Sequence, residues 1–143
     1  ARWFDRNILG SSSTYGSECF CEVLVFDEEL GVAGLIDLLV CDKKTGNAYI
    51  FDWKTSKKID RRGYNGKTGT TNATRTLQDC RYSKYALQTT LYRYILEKRF
   101  HIPIRASYII HLTPAQRKLG KDGAQLIETE YLKMNAEKIL AMM

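Results

Sequence analysis

The sequence predicts a single α/β (α+β) domain, and three observations carry that reading. Three strand-like segments follow one another with short turns between them, a helical period then takes over, and a fourth strand with a terminal helix closes the chain. The 143 residues, 44% of them hydrophobic and 27% charged, suit one soluble domain spanning residues 1–143, large enough to bury a core without staples.

Glu22 to Phe26 alternates and is rich in Val and Phe, DEELG (27–31) supplies a turn, and Val32 to Val40 resumes an apolar run, so the pair predicts a β-hairpin. A second turn, CDKKTGN (41–47), leads into Ala48 to Lys54, which makes a three-stranded antiparallel meander. Thr55 to Arg81 holds three Gly, many Thr and Asn and no apolar period; a connection this long inside a compact domain is functional or disordered. Its GYNGKTGTT has the look of a phosphate-binding loop but fails on spacing, because the required first glycine is Arg61. From Tyr82 to Phe100 the period is helical, with Leu87, Leu91 and Tyr94 on one stripe and Ile95 at its edge. Ile104 to Leu112 alternates as a fourth strand, TPAQRKLGKDG turns the chain, and Ala124 to Tyr131 extends the sheet. A terminal helix then turns Leu132, Ala136, Ile139 and Leu140 inward, and the first twenty residues hold part of a preceding helix.

No apolar run approaches the about 20 residues that cross a bilayer, and no signal peptide is evident, so the expectation is an intracellular protein with no membrane partner. Cys19, Cys21, Cys41 and Cys80 match no zinc or iron–sulfur spacing and are expected to be free, mostly buried thiols. The net charge of +6 is concentrated: Lys57 to Lys84 carries eight basic residues against Asp60 and Asp79, which suits a polyanion.

Two features carry chemistry. In YIFDWKTSKK (49–58) strand alternation sets Ile50, Asp52 and Lys54 on one face and Tyr49, Phe51 and Trp53 on the other, so an acid and a base are neighbours. Alone, such a pair is equally a solvated strand end. In GLIDLLV, Asp37 interrupts an apolar run, and a carboxylate there needs a partner, because burying it alone costs several kcal/mol. Asp37 and Asp52 on adjacent strands can share one divalent cation, with Glu22 completing the cluster. Carboxylates without His or Cys form a hard, all-oxygen site that selects Mg²⁺ or Mn²⁺, and magnesium held by few protein ligands favours phosphate oxygens. Lys54 beside it could orient or deprotonate an attacking water. On the helix, Gln88 and Tyr92 stand at i and i+4, with Tyr85 and Arg99 nearby on the same side; Gln88 as a solvated residue and Tyr92 as a packing residue is the plain alternative.

Gly34-x-x-Asp37, Asp52-x-Lys54 on the next strand and Gln88-x-x-x-Tyr92 on the following helix together resemble the PD-(D/E)XK nuclease superfamily, in particular its RecB-like exonuclease branch. That branch includes the mitochondrial genome maintenance exonuclease and many phage and viral nucleases. The matching stretch runs from about Glu22 to Leu112, nearly two-thirds of the chain. The resemblance implies a restriction-endonuclease-like core, a central mixed β-sheet flanked by helices. It implies Asp37 and Asp52, with Glu22, as metal ligands, Lys54 as the catalytic lysine, the Trp53 carbonyl in the metal shell, and Gln88 and Tyr92 as residues positioning the DNA strand. Lys57 and Lys58 would hold phosphates close by. The expected activity is a Mg²⁺- or Mn²⁺-dependent deoxyribonuclease, an exonuclease on single strands or DNA ends, serving replication, repair or recombination, alone or within a larger assembly. The rival readings are a structure-specific or restriction-like endonuclease and a non-catalytic nucleic-acid-binding module. Two departures stand out. Many branch members carry a metal-binding His before the first strand, yet residues 1–21 contain none, which leaves a truncated N-terminus or carboxylates alone. No cysteine follows Cys80, so no iron–sulfur cluster is expected.

Overall fold

The computed structural model describes residues 16–115 and 124–143. Strands β1 (Ser17–Asp27) and β2 (Val32–Asp42) form an antiparallel hairpin in register from Ser17↔Asp42 to Asp27↔Val32. The Asp27 carboxylate accepts the Leu30 N–H at 3.0 Å and so ties the intervening turn. Strand β3 (Ala48–Lys54) pairs antiparallel with β2, completing the meander. Strand β4 (Ile104–Leu112) lies parallel to β3, a pairing that demands a crossover. Helix α1 (Arg81–Arg99) supplies it. Strand β5 (Ala124–Thr129) is antiparallel to β4, giving a five-stranded mixed sheet in the order β1-β2-β3-β4-β5. Helix α2 (Lys133–Ala141) follows and packs on α1. The α/β class read from the sequence is the class observed. Among the described residues no helix is long and apolar enough to cross a membrane.

The core has two parts, one on each face of the sheet. Val25, Ile36, Leu39, Ala48, Ile50 and Ile104 pack against Tyr92, Ile95 and Leu96 of α1. On the other face Leu38, Val40, Phe51 and Ile110 form a smaller cluster, where Phe51 stacks on Tyr108 with ring centroids 5.3 Å apart. Ile50 and Phe51 therefore part to opposite faces as alternation requires.

Several expectations need correcting. Strand β1 begins at Ser17, five residues before the predicted start, so a helix preceding Glu22 can only concern residues 1–15, which lie outside the described residues. The predicted turn 113–123 falls mostly outside them as well. The buried stripe of α1 is Ala86, Thr89, Thr90, Tyr92, Ile95 and Leu96, whereas Leu87, Leu91 and Tyr94 are only half-buried. The threonines can go inside because their hydroxyls are satisfied there. Thr89 donates to the Ala86 carbonyl at 3.1 Å and meets Thr129 Oγ1 at 3.0 Å; Thr90 donates to the Glu130 carbonyl at 3.3 Å and accepts the Leu132 N–H at 3.0 Å. In α2, Ala136 and Leu140 are buried but Leu132 and Ile139 only half so. The cysteines are free, yet only Cys80 is buried, because Cys19 and Cys21 stand exposed on the edge strand and Cys41 is intermediate. The long connection 55–80 is ordered by its own backbone: Thr68 bridges Gln78, Gly69 N–H reaches the Leu77 carbonyl at 3.1 Å, and Asp79 N–H reaches the Lys67 carbonyl at 2.8 Å.

An ion-pair clamp joins the far end of the hairpin to α1. Arg99 donates to both oxygens of Asp27, at 2.5 and 2.9 Å, and to Glu29 at 2.6 Å. The Arg99 hydrogen bonds outweigh burial and hold the Asp27 carboxyl down at about 2. That is below the about 3.9 of an unfolded chain, so the clamp stabilises fully above about pH 4 and is lost as the pH falls towards 2. Thermal unfolding of the wild type and Asp27→Asn should therefore differ most at pH 5–7, with the gap closing by about pH 2; a gap independent of pH would remove Asp27 ionisation from the clamp.

Candidate active site

The site is built where two ladders fail on one rung. Pairs Cys21↔Leu38 and Val23↔Ile36 bracket Glu22, which stands opposite Asp37 without pairing. Between β2 and β3 the last pair is Leu38↔Phe51, and one further step brings Asp37 level with Asp52. Beyond this point the strands part, and the Trp53 N–H that would have continued the ladder donates to Asp37 Oδ2 at 2.9 Å. Ile36 and Leu39 are three residues apart yet pack in the same core cluster, while Leu38 packs in the other. The two-residue alternation of β2 thus breaks at Asp37, while its register with β1 runs on unshifted on both sides of the break.

Asp52 is 3% exposed, the most buried of these acids. Burial pushes its carboxyl up, the Lys54 ammonium draws it down, and Asp37 pushes it up again. Lys54 Nζ stands 2.7 Å from Asp52 Oδ2 as a buried ion pair, and among the described residues no other donor reaches that oxygen. A buried carboxylate that faces a second carboxylate and has one ammonium as partner keeps lone pairs for a further cation. The donor set fits a hard divalent ion: two carboxylates, no soft ligand. Such an ion would be held by Asp37 and Asp52.

Lys54 is fixed from three sides. Besides Asp52, it donates to Gln88 Oε1 at 3.0 Å and lies 4.6 Å from the centroid of the Tyr85 ring. Gln88 in turn donates through Nε2 to the Tyr92 hydroxyl at 2.9 Å, which orients its amide with the oxygen towards the lysine. Burial pushes the Tyr92 phenol up, so at neutral pH it is a neutral hydrogen-bond partner. Its ring rests on Gly34: a Cβ there would sit 2.3 Å from Tyr92 Cε1. Gly34, Asp37, Asp52, Lys54, Gln88 and Tyr92, scattered over three elements, are thereby in one connected arrangement.

The other candidates fall elsewhere. Glu22 is exposed, its backbone turned into the left-handed region at φ 52°, and among the described residues no group of three possible metal ligands converges. The structure thus brings Asp37 and Asp52 together without Glu22, because the kink of β1 redirects that side chain from the rung its position shares. Lys57 and Lys58 are exposed in the strap leaving β3. Sequence reading did not single out Ser56 and His111. His111 stands opposite Lys54 across the parallel ladder and its Nε2 lies 2.6 Å from the Ser56 carbonyl, while Ser56 Oγ meets the Tyr85 hydroxyl at 2.7 Å. Only the parallel register reveals this link, and no local pattern encodes that register. No protein-family model matches the chain, and no curated protein matches it either.

Proposed function

We propose that the protein is a Mg²⁺- or Mn²⁺-dependent deoxyribonuclease of the PD-(D/E)XK type, acting as an exonuclease on single strands or ends. One observation carries the reading: two carboxylates share a rung, and the buried one meets a lysine that Gln88 and Tyr92 hold in place. An oxygen-ligated divalent ion, when bound, would supply Lewis-acid polarisation of a phosphodiester and a more acidic water. Asp37 and Asp52 would hold it. The Lys54 ammonium, between Asp52 and Gln88, lies where it can orient the attacking water and offset the charge that builds on the phosphoryl oxygens. Gln88 gives that ammonium a second acceptor beside Asp52, and the Tyr92 hydroxyl orients the Gln88 amide.

An end-labelled linear oligonucleotide should be degraded with Mg²⁺ and spared in EDTA, a covalently closed circle should survive, and Lys54→Ala should lower the rate by about 10²–10³-fold. Undiminished cleavage by Lys54→Ala would remove the lysine from the mechanism. Rapid cutting of the circle would make the protein an endonuclease.

A further inference from the structure

A second feature of the molecule is a polar hollow of about 360 Å³, at the small end of ligand sites, between the segment that follows β3 and strands β4 and β5. Lys57, Lys58, Arg61, His111, Gln125 and Ile127 line it. Its positive charge is not neutralised from within: among the described residues neither Lys57, Lys58 nor Arg61 makes an ion pair. Asp60, the one acid between Lys54 and Arg61, is engaged by Arg81 at 3.8 Å. The strap itself is built. Arg81 donates to the Lys58 carbonyl at 3.2 Å, the Tyr82 N–H reaches the Asp60 carbonyl at 3.1 Å, and the Arg61 guanidinium stacks 4.0 Å from the Tyr82 ring centroid. On the opposite wall His111 is 6% exposed, and its ring is fixed by the bond from Nε2 to the Ser56 carbonyl. Three cations gathered at a concave surface without counter-charge repel one another, a cost that a bound anion cancels.

We propose that this hollow binds the terminal phosphomonoester of a nucleic-acid strand. The inference rests on the nuclease reading for its substrate, but not for its chemistry. A phosphomonoester carries close to two negative charges at neutral pH and three free oxygens, whereas an internal phosphodiester carries one charge and two. Three cations and the Gln125 amide match the former better. Position gives the hollow its meaning: Lys57 follows Lys54 by three residues, and His111 pairs with Lys54 across the ladder. A strand end held here lies next to the catalytic lysine, so the terminal nucleotides are those presented for cleavage.

The test is equilibrium binding by fluorescence anisotropy in EDTA, where no cleavage interferes. Four short labelled oligonucleotides are compared, with 5′-phosphate, 5′-hydroxyl, 3′-phosphate and 3′-hydroxyl ends, and inorganic phosphate serves as competitor. One phosphorylated end should bind about tenfold tighter than its hydroxyl counterpart, millimolar inorganic phosphate should erase the difference, and Lys57→Gln combined with Arg61→Gln should erase it without phosphate. Equal affinity for all four ends, or a preference that survives the double substitution, overturns the proposal. Circular dichroism of the double variant separates loss of the site from loss of the fold, and if it is unfolded, Lys57→Gln alone must reduce the preference or the proposal fails. Cleavage in Mg²⁺ with indifference to the end refutes the hollow and keeps the nuclease. A phosphate preference in a protein that cleaves nothing keeps the hollow and refutes the nuclease.

Discussion

Asp52→Asn should abolish Mg²⁺-dependent cleavage while leaving the metal-free protein at least as stable as the wild type. The two halves of this expectation have one cause. In the metal-free fold Asp52 is buried beside Asp37, and burial together with that second carboxylate outweighs Lys54 in setting the direction of its shift. Ionised Asp52 is thus a charge the fold holds at a cost, whereas an asparagine of the same shape incurs neither the desolvation of a charge nor the repulsion. Lys54 retains Gln88 and remains partly exposed, so it is not stranded. With Mg²⁺ the order reverses. The wild type should gain stability in proportion to metal occupancy and the variant should not, and the cleavage rate should fall by about 10³-fold or more, since several kcal/mol of transition-state stabilisation goes with the ion. Thermal unfolding with and without Mg²⁺, beside a cleavage assay, reads all of this. A variant that unfolds earlier without metal would show Asp52 to be a structural partner of Lys54 rather than a tolerated functional charge.

Such costly placements explain what the amino-acid sequence discloses. The hairpin, the meander and α1 could be read because their signals are local: alternation in β1 to β3, turn residues between them, a change of period after Thr55. Asp37 was legible for the complementary reason, as a charge where the local pattern asks for apolar residues, and Asp52 through its spacing from Lys54. Everything that depends on contact at long range was hidden. Thr89 and Thr90 look unfit for a core until the carbonyls of Ala86 and Glu130 are beside them. The 55–80 connection shows no period because its order comes from crossing backbone bonds such as Asp79 to Lys67. Glu22 shares the rung of Asp37 by register, and no pattern of residue types announces that its backbone kinks to φ 52°. Arg61 and His111, fifty residues apart, meet only once β4 is laid parallel to β3.

Gly34→Ala should damage the site more than deletion of the Tyr92 hydroxyl, although it adds one methyl group and touches no charged atom. A Cβ on residue 34 would lie 2.3 Å from Tyr92 Cε1 and 3.0 Å from Cδ1, distances that require a shift. The neighbour is a ring, not the free end of a flexible chain, and it is 8% exposed within the main core cluster, so it cannot step aside cheaply. Overpacking of this kind costs about 1–3 kcal/mol. The displaced ring carries its hydroxyl away from Gln88 Nε2, and Gln88 then loses the contact that aims its oxygen at Lys54. Tyr92→Phe, by contrast, leaves the ring on Gly34 and removes a single hydrogen bond, worth about 1 kcal/mol. Urea unfolding should therefore rank the wild type above Tyr92→Phe and Tyr92→Phe above Gly34→Ala, with cleavage rates in the same order. Divalent-metal affinity, which the proposal assigns to Asp37 and Asp52, should change far less than the rates in both variants, provided each is folded. If Gly34→Ala folds and cleaves like the wild type, the fit of the Tyr92 ring against β2 is not what holds Gln88 and Lys54 in place.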